Sequence, residues 1–304
     1  MRAFVTVVEE GGLSAAARRL HISQPALSQT VGALEREFGQ RLLVRSSTGV
    51  RATEAGRTLL AEARAVLARY DQALAVMAAF TGGNRTSLRI GIPLELPADL
   101  LSKALLDLSL AYPATHVEAR HLSTSAQIEE LHQGSLDLGL LRERPQGREF
   151  DAMLVVEERL GVLLAAERAA ELAGADGIRL DALNDLTWIG FPRSGSPAWY
   201  DELTAILRSH GVDPGPQAPE GQTLIPEVKF ASVSAGNAFT LAPPGWSQPL
   251  PDTVTWFPLV GHPIVRRTWA VWNAGSHRRD LGHLVAAFDQ PVARAASGEP
   301  DKGD

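Results

Sequence analysis

Cysteine is absent from all 304 residues. Disulfides, thiolate zinc sites, iron–sulfur clusters and thiol redox switches are therefore excluded. Long apolar runs are missing too. Stretches such as Val162–Ala166 fall far short of the ~20 residues a membrane helix needs, so no membrane partner is expected. The opening residues lack the basic, apolar and small-residue succession of a secretory signal, and a cytoplasmic location is the expectation. Catalytic signatures are also wanting. There is no GxSxG, no GxGxxG, no GxxxxGK[ST] and no HExxH. The eight histidines are scattered, and His116 and His121 flank an expected strand without a ligand cluster beside them. Asp137 lies between apolar neighbours with no second carboxylate, which is no basis for acid–base chemistry. No enzyme, metal or cofactor is expected.

What remains is ordinary globular material. Hydrophobic residues make up 45% and charged residues 21%, and the length suits two or three domains of roughly 100–200 residues. Lysine is absent from the first 80 residues, which hold ten arginines against seven acids, a balance of +3. Residues 81–304 carry −9, so the net −6 conceals a small basic head on an acidic body. That asymmetry fits a DNA-binding module attached to a domain that does not bind DNA; a chance fluctuation in surface charge is the competing explanation.

Residues 13–38 carry two helical patterns separated by a short break. The first starts at Ser14 as N-cap and places Leu13, Ala17 and Leu20 on one face, with Ala16 beside them. His21-Ile22-Ser23 interrupts it. Ser23 then caps a second helix, with Gln24 and Pro25 in its first turn. Leu27, Val31, Leu34 and Phe38 form an apolar stripe at helical period, and Gly39 ends the helix. Two helices joined by so short a turn match a helix-turn-helix, or equally a plain helical hairpin. In the first case Gln24, Ser28 and Gln29 would reach base edges or phosphates.

Arg41–Arg45 and Val50–Thr53 flank the loop Ser46–Gly49 and read as a hairpin wing with arginine on both arms. Thr53 caps a long helix spanning about 40 Å. Along it Leu60, Ala63, Leu67, Tyr70, Leu74 and Met77 recur at heptad spacing. A seam of this kind predicts a second copy of the helix as partner; packing on the chain's own C-terminal domain is the alternative.

The run Ala15–Gln29, continued by Leu34-Glu35, Phe38-Gly39, Arg41–Arg45 and Thr53–Gly56, resembles the amino-terminal hallmark of the LysR-type transcriptional regulators. Leu43 stands where phenylalanine is usual, Ala52 where leucine is usual, and Gln29 where arginine is frequent. The family also has several residues ahead of the position of Met1, which implies a shortened first helix and a start codon about five residues upstream. The resemblance implies that Ser23, Gln24, Pro25, Ser28 and Gln29 face DNA, with Arg45, Arg51 and Thr53 near its backbone. It further implies double-stranded promoter DNA with an interrupted inverted repeat, a homodimer or homotetramer, and RNA polymerase as a further partner.

Beyond Thr81–Asn84, read as a hinge, strands and helices alternate. Strands are expected at 88–92, 117–120, 136–140, 160–165, 188–190 and 268–272, and helices at 98–111, 125–133 and 198–210. This rhythm predicts α/β architecture around a largely parallel sheet. The sequon Asn84-Arg85-Thr86 is a chance match without a secretory signal. Ligands in such sheets bind beyond the carboxyl ends of strands. Leu94 and Glu95 follow the first strand, Ser123 and Thr124 open a helix, Arg142 follows the third strand, and Ser196 opens another helix. Hydroxyls, helix ends and one arginine would suit a small organic acid, with Arg142 as its anchor and Glu95 either repelling it or pairing with Arg142. Leu122–Thr124, Gln127, Leu131, Gly134, Leu136–Leu140 and Arg142 resemble the family's effector-domain pattern, which adds Gln127 to the expected effector-binding residues, and Ser234–Ala238 resembles its second-lobe motif.

The expected organisation is an N-terminal all-α winged helix-turn-helix at 1–56 and a dimerisation helix at 57–80. A hinge at 81–87 and a C-terminal α/β two-lobed domain resembling periplasmic binding proteins at 88–290 follow. Lobe I takes 88–160 and 266–290, lobe II takes 161–265, and a disordered tail covers 291–304. The functional expectation is a transcription factor responding to a small-molecule effector. A solute-binding protein without DNA function and an α/β enzyme are the alternatives.

Overall fold

The structure is a computed structural model describing residues 1–46, 49–79, 86–219, 225–245 and 249–289. Of the expected hinge at 81–87, residues 81–85 lie outside the described residues and Thr86 and Ser87 are corrected to the start of a strand; the expected tail at 291–304 also lies outside them. The chain forms two compact units, one of Met1–Thr86 with Glu130–Leu136, the other of Ser87–Glu129 with Asp137 onward.

The first unit begins with α1 (Arg2–Glu10), α2 (Leu13–Arg19) and α3 (Gln24–Phe38). A hairpin of β1 (Leu43–Ser46) and β2 (Gly49–Ala52) precedes the 26-residue α4 (Glu54–Ala79). Phe4, Val7, Ala16 and Leu27 are fully buried together, which is why three short helices hold one another. Leu13 is already helical, so Gly12 and not Ser14 is the N-cap of α2, and the Ser14 hydroxyl donates to Gln24 Oε1 instead. The turn between α2 and α3 rests on His21 at φ 55°, whose neighbour Ile22 donates its N–H back to Ala17 O. Of the stripe on α3, Leu27 and Val31 are buried and Leu34 packs against the core, whereas Phe38 in the last turn is exposed.

In the second unit the chain passes twice between two lobes. Lobe I contains β3 (Thr86–Ile92), α5 (Ala98–Ala111), β4 (Thr115–His121), α6 (Thr124–His132), β5 (Leu138–Leu141) and β6 (Phe150–Arg159). Lobe II holds β7 (Gly161–Ala165), α7 (Ala166–Leu172), β8 (Thr187–Trp188), α8 (Pro197–Ser209), α9 (Pro226–Ser234), β9 (Ala238–Ala242) and β10 (Val254–Pro258). The chain then returns to lobe I with β11 (Val265–Asn273) and α10 (Arg279–Phe288).

The sheet orders are β4-β3-β5-β11-β6 and β10-β7-β9-β8. β3–β5 and β8–β9 are parallel, while β11 runs antiparallel to β5 and β6, and β7 to β9 and β10. The largely parallel sheet expected from the sequence is thus corrected to two mixed sheets. The cause is the double crossing, since β11 comes back from lobe II against the direction of the strands it joins. Inner strands β5 and β7 are buried at every residue and read as continuous apolar runs. The two crossings touch where Leu160 N–H donates to Ile264 O at 3.0 Å.

Candidate functional site

The head presents the start of α3 and the wing. Ser23 Oγ accepts from Ala26 N at 3.3 Å and so works as the N-cap. Gln24, Pro25 and Gln29 are exposed and Ser28 is half-buried. Arg51 is exposed on β2, opposite Val44, and the Arg45 side chain lies outside what the structure describes. Thr53 is more committed than expected: its hydroxyl donates to Arg41 O at 2.7 Å and accepts from Gly56 N at 2.9 Å, capping α4 and tying it to the wing. These positions together form a polar edge at a helix N-terminus beside an arginine-bearing hairpin, the chemistry of phosphate and base contact.

The heptad seam on α4 divides. Ala63 is fully buried, and Leu60 and Leu67 pack on the same core of α1, α2 and α3. These three are corrected from a free dimer seam to parts of the head's own core, which comes within reach because the wing folds α4 back over α1. Tyr70 and Leu74 are 56% and 50% exposed, so the open part of the seam begins at Tyr70; the side chain of Met77 lies outside the described set.

Between the lobes of the second unit lies a cavity of about 500 Å³, of a size that suits a small metabolite. Leu94, Glu95, Ser123, Thr124, Arg142 and Ser196 all line it, as the sequence suggested. Gln127 does not. Its amide nitrogen donates to Leu122 O and Leu140 O from a fully buried position, so it braces α6 against β5. Thr124 Oγ1 accepts from Arg142 N and Ser123 Oγ from Ala126 N, so both hydroxyls serve as backbone acceptors.

Arg142 is the larger correction. Its Nη2 donates to Leu94 O at 2.7 Å and Glu95 O at 3.1 Å, its Nη1 donates to Thr268 Oγ1, and Glu158 stands 3.7 Å away. It is a strut holding the loop after β3, not a free anchor for an anion. Burial and the neighbouring Arg266 push its guanidinium down to about 9, with Glu158 and Glu95 opposing, so it is still charged at neutral pH.

Sequence reasoning missed Lys229 on α9 and Arg266 on β11. Arg266 bonds Glu158 through Nε at 3.1 Å and Glu95 Oε2 through Nη1 at 2.8 Å, and Lys229 Nζ pairs with Glu95 Oε1. Burial pushes the Glu95 carboxyl up, but Lys229 and Arg266 outweigh it and hold the group below the usual carboxylate range. Lys229, Arg142 and Arg266 thus gather around Glu95 and Glu158 at one end of the cleft. A basic residue within the apolar-flanked stretch Val228–Phe230 was the only available hint for Lys229.

The opposite wall is aromatic. Trp188, Phe191 and Trp199 line it, and Trp188 and Phe191 pack edge-on or tilted against each other and against Tyr200 behind them, with centroids 5.7–6.3 Å apart. A Cβ on Gly190 would lie 2.5 Å from the indole of Trp188, so only glycine lets the backbone lie on that ring. Ser196 Oγ is buried at the start of α8 with no partner among the described residues, and Glu143 Oε2 takes Ala198 N there at 3.2 Å. Across the cleft Ser125 Oγ donates to Ser194 O at 2.8 Å.

Asp137 is structural. Its carboxylate is 1% exposed, bonds Arg89 through N and Nε at 2.8 and 3.1 Å, and lies 3.3 Å from Arg278. Among the described residues no group of three His, Cys, Asp or Glu could hold a metal, and no helix is long and apolar enough to cross a membrane.

Comparison with known proteins gives this geometry its context. The family description "Bacterial regulatory helix-turn-helix protein, lysR family" matches residues 1–57, and "LysR substrate binding domain" matches residues 81–290. The HTH-type transcriptional regulator YnfL of Escherichia coli (strain K12) is 31% identical over 279 residues, 90% of each chain. The crystal structure of full-length BenM aligns at TM-score 0.60 and 26% identity, covering 99% of this chain and 98% of that one. Full-length CbnR complexed with its target DNA aligns at TM-score 0.67 and 22% identity over 95% and 97% of the two chains, a likeness of fold. A capped recognition helix with a wing, a cavity between two lobes and these matches lead to one conclusion: the chain belongs to the LysR family and is a ligand-responsive, DNA-binding transcriptional regulator.

Proposed function

We propose that the effector is a small organic acid with an apolar, ring-sized body. The observation that carries this reading is the pair of buried cations, Lys229 and Arg266, that meet on one carboxylate at the end of an aromatic-walled cleft. An acid group would suit the same two cations, while the body lies against Trp188, Phe191 and Trp199. Its anchors are Lys229 and Arg266, which bond the Glu95 carboxylate, whereas Arg142 Nη2 bonds the backbone carbonyls of Leu94 and Glu95. The cleft is a recognition site, and no catalytic step or cofactor is assigned to it. Matched acid–amide pairs with bodies of ring size, titrated against the full chain by thermal unfolding, test this. Acids should stabilise and their amides should not; equal stabilisation by an amide would overturn the acid reading.

The proposed DNA target is a promoter with an interrupted inverted repeat, read by two heads of a homodimer or homotetramer in the cytoplasm, with RNA polymerase as the downstream partner. The start of α3 supplies base contacts and Arg51 a phosphate contact. Arg51→Ala should weaken binding to all sequences alike and reduce the slope of log K against log salt by ~1. An unchanged slope would remove Arg51 from the interface.

A further inference from the structure

Glu95 sits in the cleft as a bound anion would. Its two carboxylate oxygens part between cations on different lobes, Oε1 to Lys229 of α9 and Oε2 to Arg266 of β11. The side chains are 16%, 12% and 6% exposed, so the contact is made away from water. Its backbone carbonyl accepts from Arg142 and Arg266 as well, at 3.1 and 3.0 Å. The residue that makes these contacts has φ 61°, a left-handed backbone that a side chain other than glycine adopts only when its surroundings impose it. Here the surroundings are the three cations. Lys229, Arg142 and Arg266 thus bond the carboxylate and the carbonyl of this one residue.

We propose that Glu95 is a tethered carboxylate that fills the anion seat of the cleft, and that an acidic effector binds by exchanging with it. The inference rests on the acid reading above. The incoming carboxylate takes Lys229 and Arg266, and Glu95 turns out beside the exposed Leu94. Both cations are paired before and after the exchange, whereas a neutral ligand that displaced Glu95 would leave them facing each other unpaired. The tether also raises the concentration at which an acid is felt. Only the fraction of molecules with an empty seat can bind, and the apparent dissociation constant rises in inverse proportion to that fraction. Lys229 lies on lobe II while Glu95 and Arg266 lie on lobe I, so exchange replaces the internal link between the lobes by one made through the ligand.

The test uses the full chain and propionate as a free mimic of the tethered side chain. Glu95→Gly removes the carboxylate and tolerates φ 61° without strain, so the seat should stay formed and empty. Propionate, titrated against chloride at equal ionic strength and read by thermal unfolding, should then bind Glu95→Gly saturably and at least ~10-fold more tightly than the natural chain, as expected if the seat is filled at least nine-tenths of the time. Adding Lys229→Met should abolish the gain. Glu95→Gln keeps the side-chain volume and should show the same ordering if the glycine variant does not fold. Equal propionate responses in the natural chain and both Glu95 variants, or a gain that survives Lys229→Met, would overturn the proposal. The acid–amide comparison on the natural chain is judged separately. Preference for acids there without a gain in Glu95→Gly removes the tethered anion and leaves the acid reading, and the converse result does the reverse.

Discussion

Arg142→Ala should destabilise the two-lobed unit by about 2–4 kcal/mol, the cost of stripping buried acceptors of a charged donor and leaving a cavity. The guanidinium is buried and donates to Leu94 O, Glu95 O and Thr268 Oγ1. Removing it strips the Leu94 carbonyl of that donor and takes one of two counter-cations from Glu158. At roughly 2–4 °C per kcal/mol for a unit of this size, the melting transition should fall by about 10 °C. Thermal unfolding of the full chain checks this. A variant that melts with the natural chain and has lost only its effector response would return Arg142 to the role of ligand anchor that the sequence first suggested.

Gly56→Ala should cost the head about 2–3 kcal/mol, the overpacking range, and reduce promoter affinity by more than ~10-fold. A Cβ there would lie 2.1 Å from Leu42 O and 3.1 Å from its carbonyl carbon, which are backbone atoms that cannot rotate away. Leu42 O already accepts Thr53 N, and Thr53 Oγ1 accepts Gly56 N, so the clash falls on the joint between the wing and α4. Acid binding in the cleft should be unaffected. Gel retardation and acid titration on the same preparation separate the two effects. Normal DNA affinity in this variant would mean that the joint does not set the wing.

The head was legible because its signals are local. Ser23 with Pro25, the Leu27–Val31 stripe and the glycine after Phe38 each act within a few residues of chain, and the structure places them as read. The seam on α4 was half legible. Heptad spacing reports a buried stripe without naming what buries it, and Leu60, Ala63 and Leu67 are covered by the head itself. In the body, β3, α5 and α8 fell close to their expected places, but β6 was not foreseen. Its end is Glu157-Glu158-Arg159, which reads as surface until Glu158 and Glu157 are set opposite Arg266 and Arg267 of β11. That pairing spans more than a hundred residues of sequence, and so does the contact of Glu95 with Lys229. Six of the seven expected cleft residues do line the cavity. Their roles were not readable, because whether an arginine is free or committed depends on carbonyls such as Leu94 O, which every residue carries.

Footprinting of the DNA upstream of the chain's own gene, with and without an acid that stabilises the protein, tests the regulator most directly. The full chain should protect two half-sites of an interrupted inverted repeat, and the acid, but not its amide, should change the extent of protection or the DNA bend. Protection that is absent, or identical with acid, amide and no ligand at concentrations that saturate the cleft, would contradict a regulator whose DNA binding answers to an acid between its lobes.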